Sequence, residues 1–185
     1  MPGKVIGVSM NVGYPGSFAR NSDCVIVSRL VKVVTGDTGV HFGDPVILDI
    51  TNTVQAVSDF IAAPTSGTFL ATLFLGVGVR EVKTYQTYAA NMPDVGLYAP
   101  GQSCDVLERG SVSVICSVGT PVAGGAVYIR KANGSSPSGF VLGGFEYRVD
   151  DDTGSCILLT NAFWTTGLMD ANKVCEMTIV ERNLP

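Results

Sequence analysis

Only one histidine is available to build a catalytic centre. Any Ser–His–Asp or Cys–His nucleophilic arrangement would have to use His41. This residue lies in the stretch Val-His-Phe-Gly-Asp-Pro at 40–45, which is typical of a strand that runs into a turn. A turn or interface histidine is therefore the simpler interpretation, and a metal site made of several histidines cannot form within one chain.

Carboxylates are the second class of candidate. Two of Asp105, Glu108 and Glu146 could catalyse glycoside hydrolysis if the fold placed them on either side of a bond, but their spacing favours no pair. The acidic run at 150–152 could bind a hard cation. Because it lacks the alternating ligands and the closing glutamate of an EF-hand, a solvated hairpin loop is the simpler interpretation.

The five cysteines are widely spaced, and no two of them form a C-x-x-C pair. This pattern indicates free buried thiols rather than a zinc or dithiol site, and it fits a protein made in a reducing cytoplasm. Nucleotide-binding glycine motifs are also absent. We therefore predict no enzyme activity, catalytic residue, cofactor or metal. The cysteines are Cys24, Cys104, Cys116, Cys156 and Cys175.

Charge and hydropathy exclude two classes of partner. The 185 residues carry a net charge of −4, and the longest basic run is the pair Arg130-Lys131, so a nucleic-acid partner is not expected. The longest apolar run, at 69–79, contains two glycines and is shorter than the roughly 20 residues of a membrane span. Few charges and a high mean hydropathy indicate apolar surface that a partner covers.

Short apolar segments separated by turn residues predict an all-β fold, an antiparallel sandwich or barrel. One segment, 53–63, places apolar residues on a helical face and is followed by Pro64, although a strand is nearly as compatible. The predicted strands lie within 24–34, 46–50, 73–88, 111–117, 126–130, 140–149, 156–159 and 174–180.

The N-terminal region differs from the rest of the chain because it shows no clean period. We predict an N-terminal arm over residues 1–22 and a single β domain over 23–185. An arm that becomes ordered against a partner and a loop that packs on its own domain are equally compatible with the sequence. Trp164 could anchor a core or an interface, and the core is the simpler interpretation.

Several stretches carry more specific signals than the periodicity does. They are GYPGSFAR at 13–20, FGDPV at 42–46, GVGVREVKT at 76–84, YAPGQSCDVLERGSV at 98–112, GTPVAGGAVY at 119–128, and NAFWTTG at 161–167 with DAN at 170–172. Together these stretches resemble the structural cement proteins of tailed bacteriophages, also called capsid decoration proteins. The resemblance covers nearly the whole chain in the same order, apart from a longer stretch at 62–72.

The resemblance implies a jelly-roll-like domain without an active site, located on the outer capsid surface of the virion after synthesis in the host cytoplasm. It implies a homo-oligomer, a dimer or trimer, that binds the major capsid protein and stabilises seams between its subunits. It also makes the arm residues Tyr14, Pro15, Phe18 and Arg20 candidates for the capsid interface. The alternative is a glycan- or ligand-binding β-sandwich module on the virion surface.

Overall fold

The structure is a computed structural model, and it describes residues 13–63, 71–80, 96–133, 139–147 and 154–182. Strands dominate these residues, so the all-β prediction is confirmed. The strands are β1 Phe18–Val31, β2 Val40–His41, β3 Pro45–Leu48, β4 Thr53–Ala56, β5 Phe74–Gly78, β6 Leu97–Tyr98, β7 Ser103–Val118, β8 Ala126–Arg130, β9 Phe145–Glu146, β10 Cys156–Met169 and β11 Val174–Ile179.

Nine strands form one sheet in the order β1-β4-β3-β5-β7-β11-β10-β8-β9, and two further pairings, β1–β7 and β7–β9, close it on itself twice. The result is a first ring of β1, β4, β3, β5 and β7 and a second ring of β7, β11, β10, β8 and β9. Strand β7 is therefore shared by both rings. This arrangement confirms the predicted sandwich or barrel class, with two parallel pairs, β1–β4 and β7–β9, among antiparallel ones.

Each ring surrounds its own apolar cluster. Every strand of the first ring contributes to one cluster, and every strand of the second ring contributes to the other. Trp164 is fully buried in the second, which confirms the prediction that it belongs to the core. Four of the five cysteines are buried and all five are free thiols, as predicted. Side chains that face outward from the first ring, including Ile47, Phe74 and Leu107, join the second cluster and connect the two cores.

The ambiguous segment at 53–63 forms both kinds of structure. Its first residues pair as β4, and α1 follows over Val57–Ala62. A 3-10 turn lies at Ala71–Leu73. None of the helical segments in the described ranges is long and apolar enough to cross a membrane.

A fully buried ion pair links β8 to β9 where the second ring closes. Arg130 donates from Nε to Glu146 Oε1 at 2.5 Å and from Nη2 to Oε2 at 2.7 Å, and neither side chain is exposed. The Cys156 thiol adds a contact of 3.4 Å to Oε2. Because a buried charge without a partner is very unfavourable, this pair favours the register in which the two short strands meet.

Residues 1–12 of the predicted arm lie outside the described residues. Residues 18–22 form the start of β1, and residues 13–17 lead into it. The division of the chain at residue 22 stays a prediction.

Candidate functional site

The first described residues of the predicted arm form a tight turn on the β domain. We call residues 14–17 the junction turn. The Ser17 N–H donates to Tyr14 O at 3.0 Å, and Gly16 in the turn has φ +76°. This is the left-handed region that glycine adopts without a steric penalty. Two bonds to β7, from Gly16 N to Ser113 O at 2.7 Å and from Ser113 N to Ser17 O at 2.9 Å, hold the turn on the sheet.

Two further segments form the floor beneath the junction turn. The Arg80 N–H, directly after β5, donates to Gly16 O at 2.8 Å. The Gly43 N–H donates to Gly78 O at 2.8 Å, which joins the loop before β3 to the end of β5. A Cβ on Gly43 would lie only 2.7 Å from Pro15 Cβ. The three segments therefore approach one another at a distance that only glycine allows.

An aromatic pair supports this floor from inside the first ring. Tyr98 is buried, and its hydroxyl donates to Val79 O at 2.8 Å. Phe42 packs edge-on against Tyr98, with ring centroids 5.2 Å apart. Val79 immediately precedes Arg80, so this hydrogen bond helps to determine where the backbone of Arg80 lies.

The exposed part of the site is an aromatic ring under a guanidinium group. Tyr14 is 66% exposed, and the Arg80 guanidinium carbon lies 4.9 Å from the centre of its ring. Arg80 is itself exposed. An exposed cation–π contact contributes only about 0.5–1 kcal/mol to stability, so folding explains little of the presence of these two side chains at the surface.

Comparison with known proteins identifies the family. The family model described as "Structural cement protein (E217 gp24/Pam3 gp6)" matches residues 2–180. The chain belongs to the structural cement protein family. This membership gives it a structural role in the virion. No curated protein matches the chain.

A solved structure has a similar fold. A chain of "The capsid of Myoviridae Phage XM1" matches with a TM-score of 0.63 and 13% sequence identity, over 94% of this chain and 93% of that one. At this identity the likeness establishes the fold only. It agrees with the family assignment of this cement protein.

Two of the four arm residues predicted for the interface lie in the junction turn of this cement protein, and two lie on β1. Tyr14 is exposed and Pro15 is half-buried against Gly43. Phe18 begins β1 opposite Val112 and is 42% exposed. The backbone of Arg20 pairs with Ser111. Their place in the interface stays a prediction.

Sequence reasoning did not single out Arg80 or the glycines beneath the turn. Both features lie in stretches that carry the resemblance, GVGVREVKT at 76–84 and FGDPV at 42–46. The structure brings these two stretches and GYPGSFAR at 13–20 together at one place. The family resemblance therefore included the residues of the site, but it did not indicate that the three stretches meet in the fold.

The structure holds the three candidate carboxylates apart in separate networks. Asp105 accepts from Ser28 Oγ at 2.5 Å, whereas Glu108 is buried and binds Arg29 at 2.8 Å and also Arg182. Glu146 lies opposite Val118, ten residues along β7 from Glu108, and binds Arg130. The three carboxylates thus bind different partners, and nothing in this arrangement pairs them as the two carboxylates of a glycosidase are paired.

The remaining candidate groups are the histidine, the acidic run and the cysteines, and their surroundings do not indicate a catalytic or metal site in the described residues. His41 lies at the surface with Nδ1 3.2 Å from Asp44 Oδ2, and the acidic run at 150–152 lies outside the described residues. Burial raises the pKa of the Cys104 thiol to about 12, which leaves little of the reactive thiolate at neutral pH. Within the described ranges, no three histidine, cysteine or acidic side chains gather as a metal site.

A surface groove of about 290 Å³ lies where β1, β7, β10 and β11 approach one another. Phe163 is its one aromatic lining residue. Its one acidic lining residue, Asp23, is bonded to Arg109 at 2.6 Å. A glycan site typically presents exposed aromatic faces beside available carboxylates, so the groove does not favour the glycan-binding alternative.

Proposed function

We propose that this chain is a cement subunit that binds the outer capsid surface and stabilises seams between major capsid protein subunits. Family membership supports the role. The structure of the junction turn is the observation that supports this turn as the docking surface. Its backbone is bonded to β7 and to Arg80, and it presents Tyr14 to solvent.

A preformed surface lowers the free energy lost on binding. Side chains and loops that become ordered only in a complex oppose association by about 0.5–1.5 kcal/mol each. The junction turn is already ordered by backbone hydrogen bonds, and tyrosine and arginine are enriched among residues that dominate interface energies. Tyr14 and Pro15, with Phe18 and Arg20 at the start of β1, are the residues that we assign to the contact.

Stabilisation of the shell follows from mass action. A subunit that binds two neighbouring capsid proteins across a seam binds the assembled shell better than the separate proteins, so it shifts the equilibrium towards the shell. A dimer or trimer of the cement subunit contacts several capsid proteins at once. The second contact then benefits from a high effective concentration, and weak individual contacts are sufficient.

The test uses capsids that lack the cement subunit, to which the purified protein is added. Bound protein is measured after sedimentation, and head survival is measured during heating. The double variant Tyr14→Ala with Phe18→Ala should bind at least about tenfold more weakly, because two large exposed anchors are removed. It should therefore give the heads less protection from heat.

Leu168→Ala is the matched control for this test. Leu168 is 68% exposed, nearly the same as Tyr14, but it lies on β10 in the second ring. This variant should bind and protect like the unmodified protein. Equal binding by the double variant and the unmodified protein would place the docking surface elsewhere. Binding without any gain in head survival would argue against the cement role.

A further inference from the structure

One arginine differs from the others in its ion pairing. The side chains of five arginines are described, and four of them bind a carboxylate. Arg80 is the exception, since no carboxylate in the described residues lies within ion-pair distance of it. Its guanidinium lies over Tyr14 instead. The four paired arginines are Arg29 and Arg182 with Glu108, Arg109 with Asp23, and Arg130 with Glu146.

The backbone of Arg80 and of the residue before it is held in place by hydrogen bonds. Its own N–H donates to Gly16 O at 2.8 Å, and the N–H of the preceding Val79 donates to Asp105 O at 2.8 Å. Val79 is buried, and its carbonyl accepts from Tyr98. The side chain therefore starts from a defined position and lies over a ring that belongs to an equally well-bonded turn.

Stacking on an aromatic face restricts a guanidinium group without using its N–H donors. Those donors lie in the plane of the group, in a fork that matches the two oxygens of a carboxylate. The charge of Arg80 is thus unpaired within the described residues, partly oriented and exposed. Arg109 shows the contrast, because its fork is already bonded to Asp23 at 2.6 Å.

We propose that Arg80, held over the Tyr14 ring, is a preassembled binding site for an aspartate or glutamate side chain presented by the capsid shell. This proposal rests on the proposed function, because it takes the junction turn as the docking surface. The chain carries a net charge of −4, so overall attraction does not bring it to an acidic partner. Recognition of the carboxylate is local to Arg80, and its strength reflects the fork and the stack together.

The test compares charge reversal with a conservative change at the same position. Arg80→Glu should weaken binding to undecorated heads by more than about tenfold, because like charges then face each other. Arg80→Lys keeps the charge but loses the planar fork, so it should weaken binding by about threefold to tenfold. Tyr14→Phe keeps an aromatic face under the guanidinium, so it should weaken binding less than Arg80→Lys does.

The same two substitutions at Arg109 are the control, since Arg109 is also exposed but has Asp23 as its partner. Arg109→Glu and Arg109→Lys should leave binding within about twofold, and raising the salt concentration should weaken binding of the unmodified protein more than that of Arg80→Glu. Thermal unfolding checks that all variants are folded. An equal loss of binding at Arg80 and Arg109 would indicate a net-charge effect and overturn the proposal.

The failures of the two proposals are distinguishable. Normal binding by Arg80→Glu and Arg80→Lys, together with loss of binding in the Tyr14 and Phe18 double variant, would overturn the carboxylate site and leave the docking surface in place. Normal binding by the double variant as well would overturn the docking surface itself.

Discussion

Two arginines in this protein have similar aromatic neighbours and opposite surroundings. Arg130 lies over the Phe140 ring at 5.1 Å, and Arg80 lies over the Tyr14 ring at 4.9 Å. Arg130 is fully buried with Glu146 as its partner, whereas Arg80 is exposed and has no carboxylate partner in the described residues. The comparison separates two uses of one side chain: the first closes a ring of strands, and the second is available to a partner.

The largest effect is expected from the buried site. Glu146→Gln keeps the shape of the side chain but removes the carboxylate charge that Arg130 binds in the protein interior. Breaking one side of a buried ion pair typically costs about 3–5 kcal/mol, so the free energy of unfolding should fall by that amount. Urea denaturation of the purified protein measures it. Arg80→Gln, which removes one charge at the surface together with its contact to Tyr14, should lower the free energy of unfolding by less than about 1 kcal/mol.

A double variant sharpens this result. Replacing the pair with Arg130→Met and Glu146→Leu removes both charges together, and apolar replacements of buried pairs are often neutral or stabilising. Most of the stability lost in Glu146→Gln should therefore return. If Glu146→Gln is as stable as the unmodified protein, the ion pair is not what holds β8 and β9 together.

The second effect concerns the turn that carries Tyr14. Gly16→Ala places a Cβ 2.9 Å from Gly43 N and 3.0 Å from Gly78 O, which the surrounding backbone cannot accept without moving. We expect a loss of about 1–3 kcal/mol in thermal unfolding, and weaker binding to heads because Tyr14 and Arg80 separate.

Gly124 provides a control with matched geometry. Its φ of +73° is close to the +76° of Gly16, but a Cβ there would meet no atom within 4 Å. Gly124→Ala should therefore lose only the conformational part, about 1 kcal/mol, and should bind heads normally. Equal effects at the two glycines would show that the close approach to Gly43 and Gly78 is unimportant.

Local patterns of apolar residues in the sequence were sufficient to predict where most of the strands lie. Val112, Val114 and Cys116 alternate with serines, and all three are buried in β7. Cys175 and Met177, two residues apart on β11, likewise both lie in the second core. The alternation in β7 indicates a strand, although Ser111 and Ser113 are buried as well. It carries no information about which distant strand lies beside β7. The pairings β1–β7 and β7–β9, which close the two rings, therefore could not be predicted.

Local sequence patterns also leave out contacts between distant segments of the site. Tyr14 and Pro15 became candidates through the family resemblance, and the turn holds them together. Arg80 was not chosen because it lies far along the chain from Gly16, and only the fold makes its N–H donate to Gly16 O. Glu108 and Glu146 were possible partners in the sequence, but the length of β7 keeps them apart.

The smallest effect is expected at a carboxylate near the surface. Asp49 begins the turn between β3 and β4. Burial opposes its ionisation, but hydrogen bonds from the Ile50 N–H, Lys32 and Thr51 outweigh burial and lower its pKa below the ordinary 3.8. Asp49→Asn makes the same change of carboxylate to amide as Glu146→Gln. Because Asp49 is partly exposed, the loss at neutral pH should be less than about 1 kcal/mol, measured by urea denaturation.

The pH dependence gives this small effect a recognisable sign. A carboxylate whose pKa is lowered by folding contributes stability above the pKa of the unfolded chain, and this contribution disappears as the pH falls through the lower folded value. The difference between Asp49→Asn and the unmodified protein should therefore be largest at neutral pH and shrink in acid, below the ordinary value of 3.8. A difference that stays constant with pH would mean that the turn depends on the shape of Asp49 and not on its charge.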